Sequence, residues 1–270
     1  MDQIRDNYHH IDPGITYTKQ NIPCLIDLDD LESLHVNDLF EYELSDSCQC
    51  TTECSSETNC PCIAKFGQNY QKDKILYSDD LILHPGNIDA PHIECGRRCK
   101  CSPKCGNRLV QYGPRLGLKI FDTKGKNLGL KSTLRIPKFG FVCEYAGEVL
   151  TPKLARQRFE DNKSNSLMNY IFCLNEYTSG NQLTRTFIDP GKCGNIGRYL
   201  NHSCDPNCFI VPIRVDINVP KLCVFTLRDV GVGEELTFDY GDGQQGEGTR
   251  CLCGARVCRG FLPFDIENSA

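Results

Sequence analysis

Nine cysteines gathered in two short clusters restrict this chain more than any other feature. Cys48, Cys50, Cys54, Cys60 and Cys62 form the first, and Cys95, Cys99, Cys101 and Cys105 the second. Both reuse C-x-C and C-x3-C steps. Inside a reducing cell such spacing points to metal, whereas a secreted chain would use it for disulfides. The chain holds 19 cysteines, an odd number, so internal disulfides cannot use them all. Zinc takes four thiolates in a tetrahedron. Nine sulfurs do not divide by four. Two ions would leave one cysteine idle, but three ions are satisfied if three sulfurs each bridge two metals. Sulfurs of a C-x-C pair can reach adjacent metals, so a three-zinc cluster is expected, with disulfides or independent sites as the alternatives. Residues 63–94 would then be a loop pinned by metal at both ends. The metal's role is structural, because closed ligand shells supply folding free energy.

A third cluster, Cys251, Cys253 and Cys258, is one ligand short. Most other cysteines (Cys24, Cys143, Cys173, Cys193, Cys208, Cys223) sit in apolar strand-like contexts, where a buried free thiol is expected. Cys204 lies instead in the polar turn RYLNHSCDPN and is the expected fourth ligand, with His202 as its rival. This turn would tie the C-terminal cysteines back onto the body of the chain.

A length of 270 residues suits one or two domains with a sizeable core. No apolar run approaches the ~18 residues of a membrane span, and MDQIRDNYHH has no hydrophobic signal region, so an intracellular chain without membrane attachment is expected. Charge is uneven. Residues 1–47 carry eleven acids against Arg5 and Lys19, a net of −9, while the whole chain is −5. Sequence-specific DNA binding is not expected of so acidic a chain, since phosphate neutralisation needs Lys and Arg. The acidic stretch reads either as a solvated leader or as a surface for a basic peptide.

Four parts follow from composition: an acidic N-terminal segment, 1–47; a cysteine-rich part, 48–109; a strand-rich part, 115–240; and 241–270, a polar linker with the last cysteines. FVCEYAGEVL, NYIFCL, TFIDP and LCVFTL read as strands. TPKLARQRFEDN reads as a helix, with Thr151 as N-cap and Pro152 in the first helical position. No glycine pair opens a helix after a strand, so no dinucleotide fold is expected. Read alone, FDY at 238–240 is an ordinary strand and NHSC a polar turn.

In order along the chain, the cysteine clusters, EYAGEV, GNIGRYLNHSCDPN, GEELTFDYGD and CLCGARVCRGFLPFD resemble the SET-domain lysine methyltransferases with pre-SET and post-SET zinc regions, and among them the heterochromatin class. The resemblance covers residues 48 to about 265. It implies a mostly β fold with small helices, the SET-domain β-clip. In that fold the C-terminal segment threads under a loop beside NHSC, forming a pseudoknot. The four parts become N-terminal segment, pre-SET zinc cluster, SET catalytic domain and post-SET knuckle. S-adenosylmethionine is the implied methyl donor, entering from the face opposite the lysine. Zinc is implied as three ions in the pre-SET cluster and one in the post-SET site. By position, Tyr240 is the catalytic tyrosine, Tyr145 lines the lysine channel, and Phe238 limits how many methyl groups fit. Leu128, Gly129, Tyr170, Arg198, Asn201 and His202 fall on the donor side. Cys204 joins Cys251, Cys253 and Cys258 on the fourth zinc.

The family's usual G-W-G-L reads Asn127, Leu128, Gly129, Leu130 here, and Phe139 before Gly140 inverts a usual Lys-Gly order. Losing the first glycine restricts the backbone where the donor is held. The implied substrate is the histone H3 tail or nucleosome, lysine 9 favoured and lysines 4 and 36 open, which places the protein in the nucleus on the chromosome. The reaction needs a neutral amine, although free lysine has a pKa of ~10.4. A desolvated aromatic channel beside a positive sulfur would lower it. Phe238, lacking a hydroxyl, leaves room for two or three methyl groups. Two other classes remain: a degenerate SET module that binds histone tails without turnover, and a zinc-cluster protein for nucleic acid or metal storage.

Overall fold

A computed structural model describes residues 4–24, 31–55, 57–72, 81–87, 91–177, 180–241 and 249–263. Short strands dominate, arranged in three small sheets and a two-stranded ribbon, with few helices. In the first sheet the long strand Leu183–Gly194 pairs antiparallel with Phe172–Tyr177 and with Gly147–Leu150. The second runs Asn201–His202, Glu235–Phe238, Leu128–Ser132, Leu118–Asp122. The third places Cys208–Arg214 between His92–Ile93 and Lys221–Thr226, with Phe141–Tyr145 outermost.

The four strand-like runs of the sequence all contribute strands, because β-branched and aromatic side chains pack well on pleated surfaces. The helix Pro152–Ser164 forms where expected: Thr151 Oγ1 accepts the Leu154 N–H at 3.1 Å, and Ala155 and Phe159 face inward. The sheets share one main core, in which Leu130, Ile136, Ile188, Leu222, Val224 and Leu236 are fully buried. Tyr145, Tyr199 and Phe238 belong to that same core, so its packing also fixes the site.

The acidic N-terminal segment is not a free leader. Thr16–Tyr17 pairs with Cys193–Gly194, and Ile22–Pro23 with Glu148–Val149, both in parallel. Asn21 is buried, donating to Pro220 O at 3.1 Å and accepting from Gly147 N–H at 3.1 Å. Tyr17 O–H reaches the buried Asp6 carboxylate at 3.0 Å. Asp27, Asp29 and Asp30 of this segment lie outside the described residues, as does the stretch 242–248 of the linker.

The joint between the cysteine-rich part and the β domain is polar. Glu94, next to Cys95, is 3% exposed and accepts from Tyr70 O–H (2.8 Å), Leu109 N–H (2.7 Å), Val110 N–H (2.8 Å) and Gln111 Nε2–H (2.7 Å). Burial holds its carboxyl above the usual carboxylate range, although these donors pull the other way. One carboxylate thus satisfies backbone groups that would otherwise be orphaned in the interior. Phe139 adopts the left-handed region at φ 63°. Its backbone is held on both sides, N–H to Thr226 O at 2.8 Å and C=O from Leu83 N–H at 2.9 Å.

Glu94→Ala strands several buried donors and is expected to destabilise the fold by about 2–4 kcal/mol. Glu94→Gln, which keeps one acceptor, should lose clearly less. Denaturant unfolding of the zinc-loaded protein measures both, and equal losses would rule out this account of the joint.

Candidate active site

NHSC and FDY meet as neighbouring strands. Asn201 sits opposite Thr237 and His202 opposite Phe238, in parallel. Ser203 N–H donates to Phe238 O at 3.1 Å. Asn207 laces the pair, donating to Glu235 O at 2.7 Å and accepting from Thr237 N–H at 2.9 Å.

Four aromatic rings pack together beside it. Phe238 is buried, its ring centre 4.8 Å from Tyr240, 5.9 Å from Tyr145 and 6.2 Å from Phe172. Tyr145 O–H donates to Tyr170 O at 2.6 Å, and Tyr240 O–H to Leu200 O at 2.8 Å. Each hydroxyl proton is therefore committed to a carbonyl, and each phenol oxygen keeps lone pairs to accept another hydrogen. Burial pushes both phenols well above the ordinary tyrosine range. They stay protonated at neutral pH and are not bases.

A cavity of ≈ 530 Å³ adjoins these rings, and Tyr145, Phe172, Phe238 and Tyr240 all line it. Leu128, Tyr170, Arg198 and Asn201 line it as well. The Arg198 guanidinium lies 4.4 Å from the Tyr170 ring centre and donates through Nε to Pro190 O at 3.1 Å, which fixes it as a flat polar wall. Asn127, where the family has glycine, takes the left-handed conformation at φ 58°. Asparagine tolerates that region better than other non-glycine residues, so the substitution preserves the turn.

Two of the sequence-picked residues stand behind this wall rather than in it. Gly129 is buried, and a Cβ there would meet Thr123 Cγ2 at 2.6 Å and Asn201 Nδ2 at 3.0 Å, so glycine makes room for its neighbours. The His202 ring is also buried and does not line the cavity. Its Nδ1 accepts the Tyr240 N–H at 3.3 Å, which leaves Nε2 as the N–H that faces Cys204 Sγ at 3.2 Å. Burial lowers its pKa, keeping the ring neutral.

The cysteines assemble as their spacing suggests. Cys204, Cys251, Cys253 and Cys258 bring four Sγ atoms within 4.8 Å of one another. His202 is not in that group, but its Nε2–H supports one of its members, as partners of metal ligands commonly do. In the larger cluster, four-sulfur groups form around Cys48, Cys50, Cys54, Cys60; around Cys48, Cys62, Cys95, Cys99; and around Cys48, Cys54, Cys95, Cys101. Cys48, Cys54 and Cys95 recur between groups. Cys105 accepts from Cys54 N–H at 3.4 Å. A tetrahedron with Zn–S near 2.3 Å has S···S edges of ~3.8 Å. The observed separations are 3.6 Å for Cys48–Cys54, 3.8 Å for Cys62–Cys99, 3.9 Å for Cys54–Cys95 and 3.9 Å for Cys204–Cys251. Such crowded thiols share protons unequally: hydrogen bonds from Cys62 and Cys95 pull Cys99 below the usual thiol range, and one from Cys95 does the same to Cys105. A dication removes that conflict by taking every sulfur as thiolate. Both clusters have the donor set and spacing to hold zinc.

Sequence reasoning missed part of the cavity. Phe172 follows Tyr170 at the strand period of two, a signal that could have found it. Asp12 and Ile15 of the acidic segment, and Leu262 and Pro263 after the last cysteines, also line the cavity, with no local signal in the sequence. The last two make the segment after the C-terminal cysteines a wall of the site.

The family signature of the SET domain matches residues 127–241, and that of the Pre-SET motif matches residues 3–108. The Caenorhabditis elegans probable histone-lysine N-methyltransferase set-23 is 39% identical over 236 residues, 84% of this chain and 89% of that protein. The chain belongs to the SET-domain histone-lysine methyltransferase family. The Pre-SET match takes in the acidic segment that composition sets apart. Within the SET family, NIGRYLNHSC, VPKL and FLPFD resemble SETMAR, although Phe264 and Asp265 lie outside the described residues. Human histone-lysine N-methyltransferase SETMAR is 40% identical over 234 residues, 81% of this chain. The chain spans 33% of that protein's length. The crystal structure of the human SETMAR methyltransferase domain matches with a TM-score of 0.75 and 34% identity, over 93% of this chain and 90% of that one. KRYPTONITE, crystallised with mCHH DNA, an H3(1-15) peptide and SAH, matches with a TM-score of 0.65 and 27% identity, over 92% of this chain and 48% of that one.

Cys204→Ser is expected to remove one bound zinc per chain, read by metal analysis of the purified protein, while Cys173→Ser should leave the metal content unchanged. Equal zinc in the two variants would exclude Cys204 as a ligand.

Proposed function

We propose that this chain is an S-adenosylmethionine-dependent protein-lysine N-methyltransferase acting on the histone H3 tail, in the nucleus and on the chromosome. The observation that carries the reading is the aromatic cage, with two phenol oxygens held as acceptors beside a cavity walled by NHSC-side residues. KRYPTONITE, a structural relative, was crystallised with SAH and an H3(1-15) peptide. Lysine 9 of H3 is the favoured target from the resemblance to the heterochromatin class, with lysines 4 and 36 open.

S-adenosylmethionine supplies an electrophilic methyl on a sulfonium. Tyr170, Arg198, Asn201 and Leu128 would hold it, with Gly129 and His202 supporting them from behind. The chain's own task is alignment and dryness. Tyr145, Phe172, Phe238 and Tyr240 enclose the lysine stem and exclude water. The oxygens of Tyr145 and Tyr240, their protons tied to Tyr170 O and Leu200 O, accept N–H bonds and so turn the amine lone pair toward the methyl. Desolvation lowers the lysine pKa, and the released proton leaves through water, since neither tyrosine is ionised. Phe238 adds no hydroxyl to the cage, which leaves space for a second and third methyl. Asn127 keeps the turn that the family's glycine provides, which favours an active enzyme over a degenerate binding module.

For zinc, the recurrence of Cys48, Cys54 and Cys95 supports a triangular cluster with those three as bridges. Cys50 with Cys60, Cys62 with Cys99, and Cys101 with Cys105 would be the terminal pairs. A fourth ion would sit on Cys204, Cys251, Cys253 and Cys258.

The test is mass spectrometry of H3 octamers and nucleosomes after incubation with zinc-loaded protein and S-adenosylmethionine. A methyl ladder on a single H3 lysine is expected. Tyr240→Phe should lower kcat at least ~100-fold while SAH binding by calorimetry changes less than about threefold. Absence of any mass shift from a folded, zinc-replete protein would sink the enzymatic reading. Phe238→Tyr is expected to shift the product toward monomethyl-lysine, and an unchanged product distribution would refute the role of that ring. The rate should rise with pH from neutrality toward ~9, because the amine must lose its proton. A fall over that range would contradict the assignment of both phenols as protonated.

A further inference from the structure

Asn201 presents a planar amide to the cavity. Its Nδ2 donates to Leu128 O at 3.3 Å and to Glu235 Oε1 at 2.9 Å, so both amide hydrogens point into the protein. Its Oδ1 takes no hydrogen bond from the described residues, and Asn201 lines the cavity. The cavity therefore meets an acceptor. An asparagine amide flipped by half a turn would offer a donor instead, with almost the same shape.

Two acceptors decide between these orientations, Leu128 O at 3.3 Å and the closer Glu235 Oε1 at 2.9 Å. A carboxylate only accepts, so it can face the Nδ2 end of the amide and not the Oδ1 end. Its second oxygen, Oε2, is taken by Lys126 Nζ at 2.7 Å, an ion pair in which the side chains are 18% and 25% exposed. Glu235 is held in register by the strand it begins, opposite Lys131. The slot between Asn201 and Glu235 stays open because residue 129 is glycine: a Cβ there would come 3.1 Å from Glu235 Oε1 and 3.0 Å from Asn201 Nδ2.

We propose that Glu235 is a positioning residue for the donor pocket, acting through Asn201 to fix the amide with its oxygen toward the cavity, where it accepts an N–H of the bound donor or its product. The donor carries two such groups, an amino-acid ammonium and an adenine amine. The inference rests on the donor site proposed above.

The experiment is calorimetric binding of SAH to the zinc-loaded full chain, with thermal unfolding as a check on the fold. Glu235→Ala and Glu235→Gln should each weaken SAH about tenfold, the glutamine because it can also donate, which leaves only the longer Leu128 O contact to select the amide orientation. On an Asn201→Ala background the same changes should cost less than about twofold, since the residue they act through is gone. Lys126→Met should weaken SAH by less than about threefold. Losses at 235 and 201 that multiply independently, or a Glu235→Gln protein that binds SAH as the wild type does, would overturn the proposal. Wild-type protein that fails to bind SAH would instead defeat the donor-site reading beneath it.

Discussion

Everything functional in this chain hangs on one short piece of parallel pairing. Asn201 and His202 run beside Thr237 and Phe238, and Asn207 bonds across them. In the proposed reading this pairing would bring together the donor-side wall and part of the lysine-side cage from segments some 35 residues apart. A parallel contact of this kind needs a long connection, and here Cys208–Arg214 and Lys221–Thr226 supply it, themselves part of the third sheet.

Most cysteines of the two clusters lie before and after the β domain in sequence, with Cys204 inside it, and polar contacts join each cluster to that domain. Glu94 anchors the larger one through Tyr70 and the backbone of residues 109 and 110. His202 and the Arg259 N–H, at 3.4 Å, both reach Cys204 in the smaller one. Leu262 and Pro263 follow the last cysteine of that cluster and line the cavity, so the C-terminal cluster and the site share one short segment.

Within the cage, burial and hydrogen bonding act in one direction. Burial keeps the phenols protonated, and their bonds to Tyr170 O and Leu200 O fix where those protons point. Had either hydroxyl faced water, its proton would be free to rotate and the oxygen would not be a dependable acceptor. The same rings belong to the main core, so precise alignment follows from ordinary close packing.

Much of this was legible in the chain itself. The cysteine sets, the capped helix at 152–164, the four strand-like runs and the choice of Cys204 over His202 all follow from residue chemistry and short spacings, which act locally. Other features had no local signal. By charge the acidic segment reads as a solvated leader or a surface for a basic peptide, yet Asn21 is buried against Gly147 and Pro220 of the β domain, and Asp6 is buried with Tyr8 and Tyr17 of its own segment bonded to it. His202 looks like a cofactor contact by its motif, but its ring turns inward to Tyr240 and Cys204. By itself the sequence determined which groups are present and which can share a metal, because ligand type and spacing are properties of the chain. Only the tertiary structure decided which sulfurs lie between two groups, which four rings make the cage and which way the Asn201 amide faces, because burial and hydrogen-bond direction depend on residues distant in sequence.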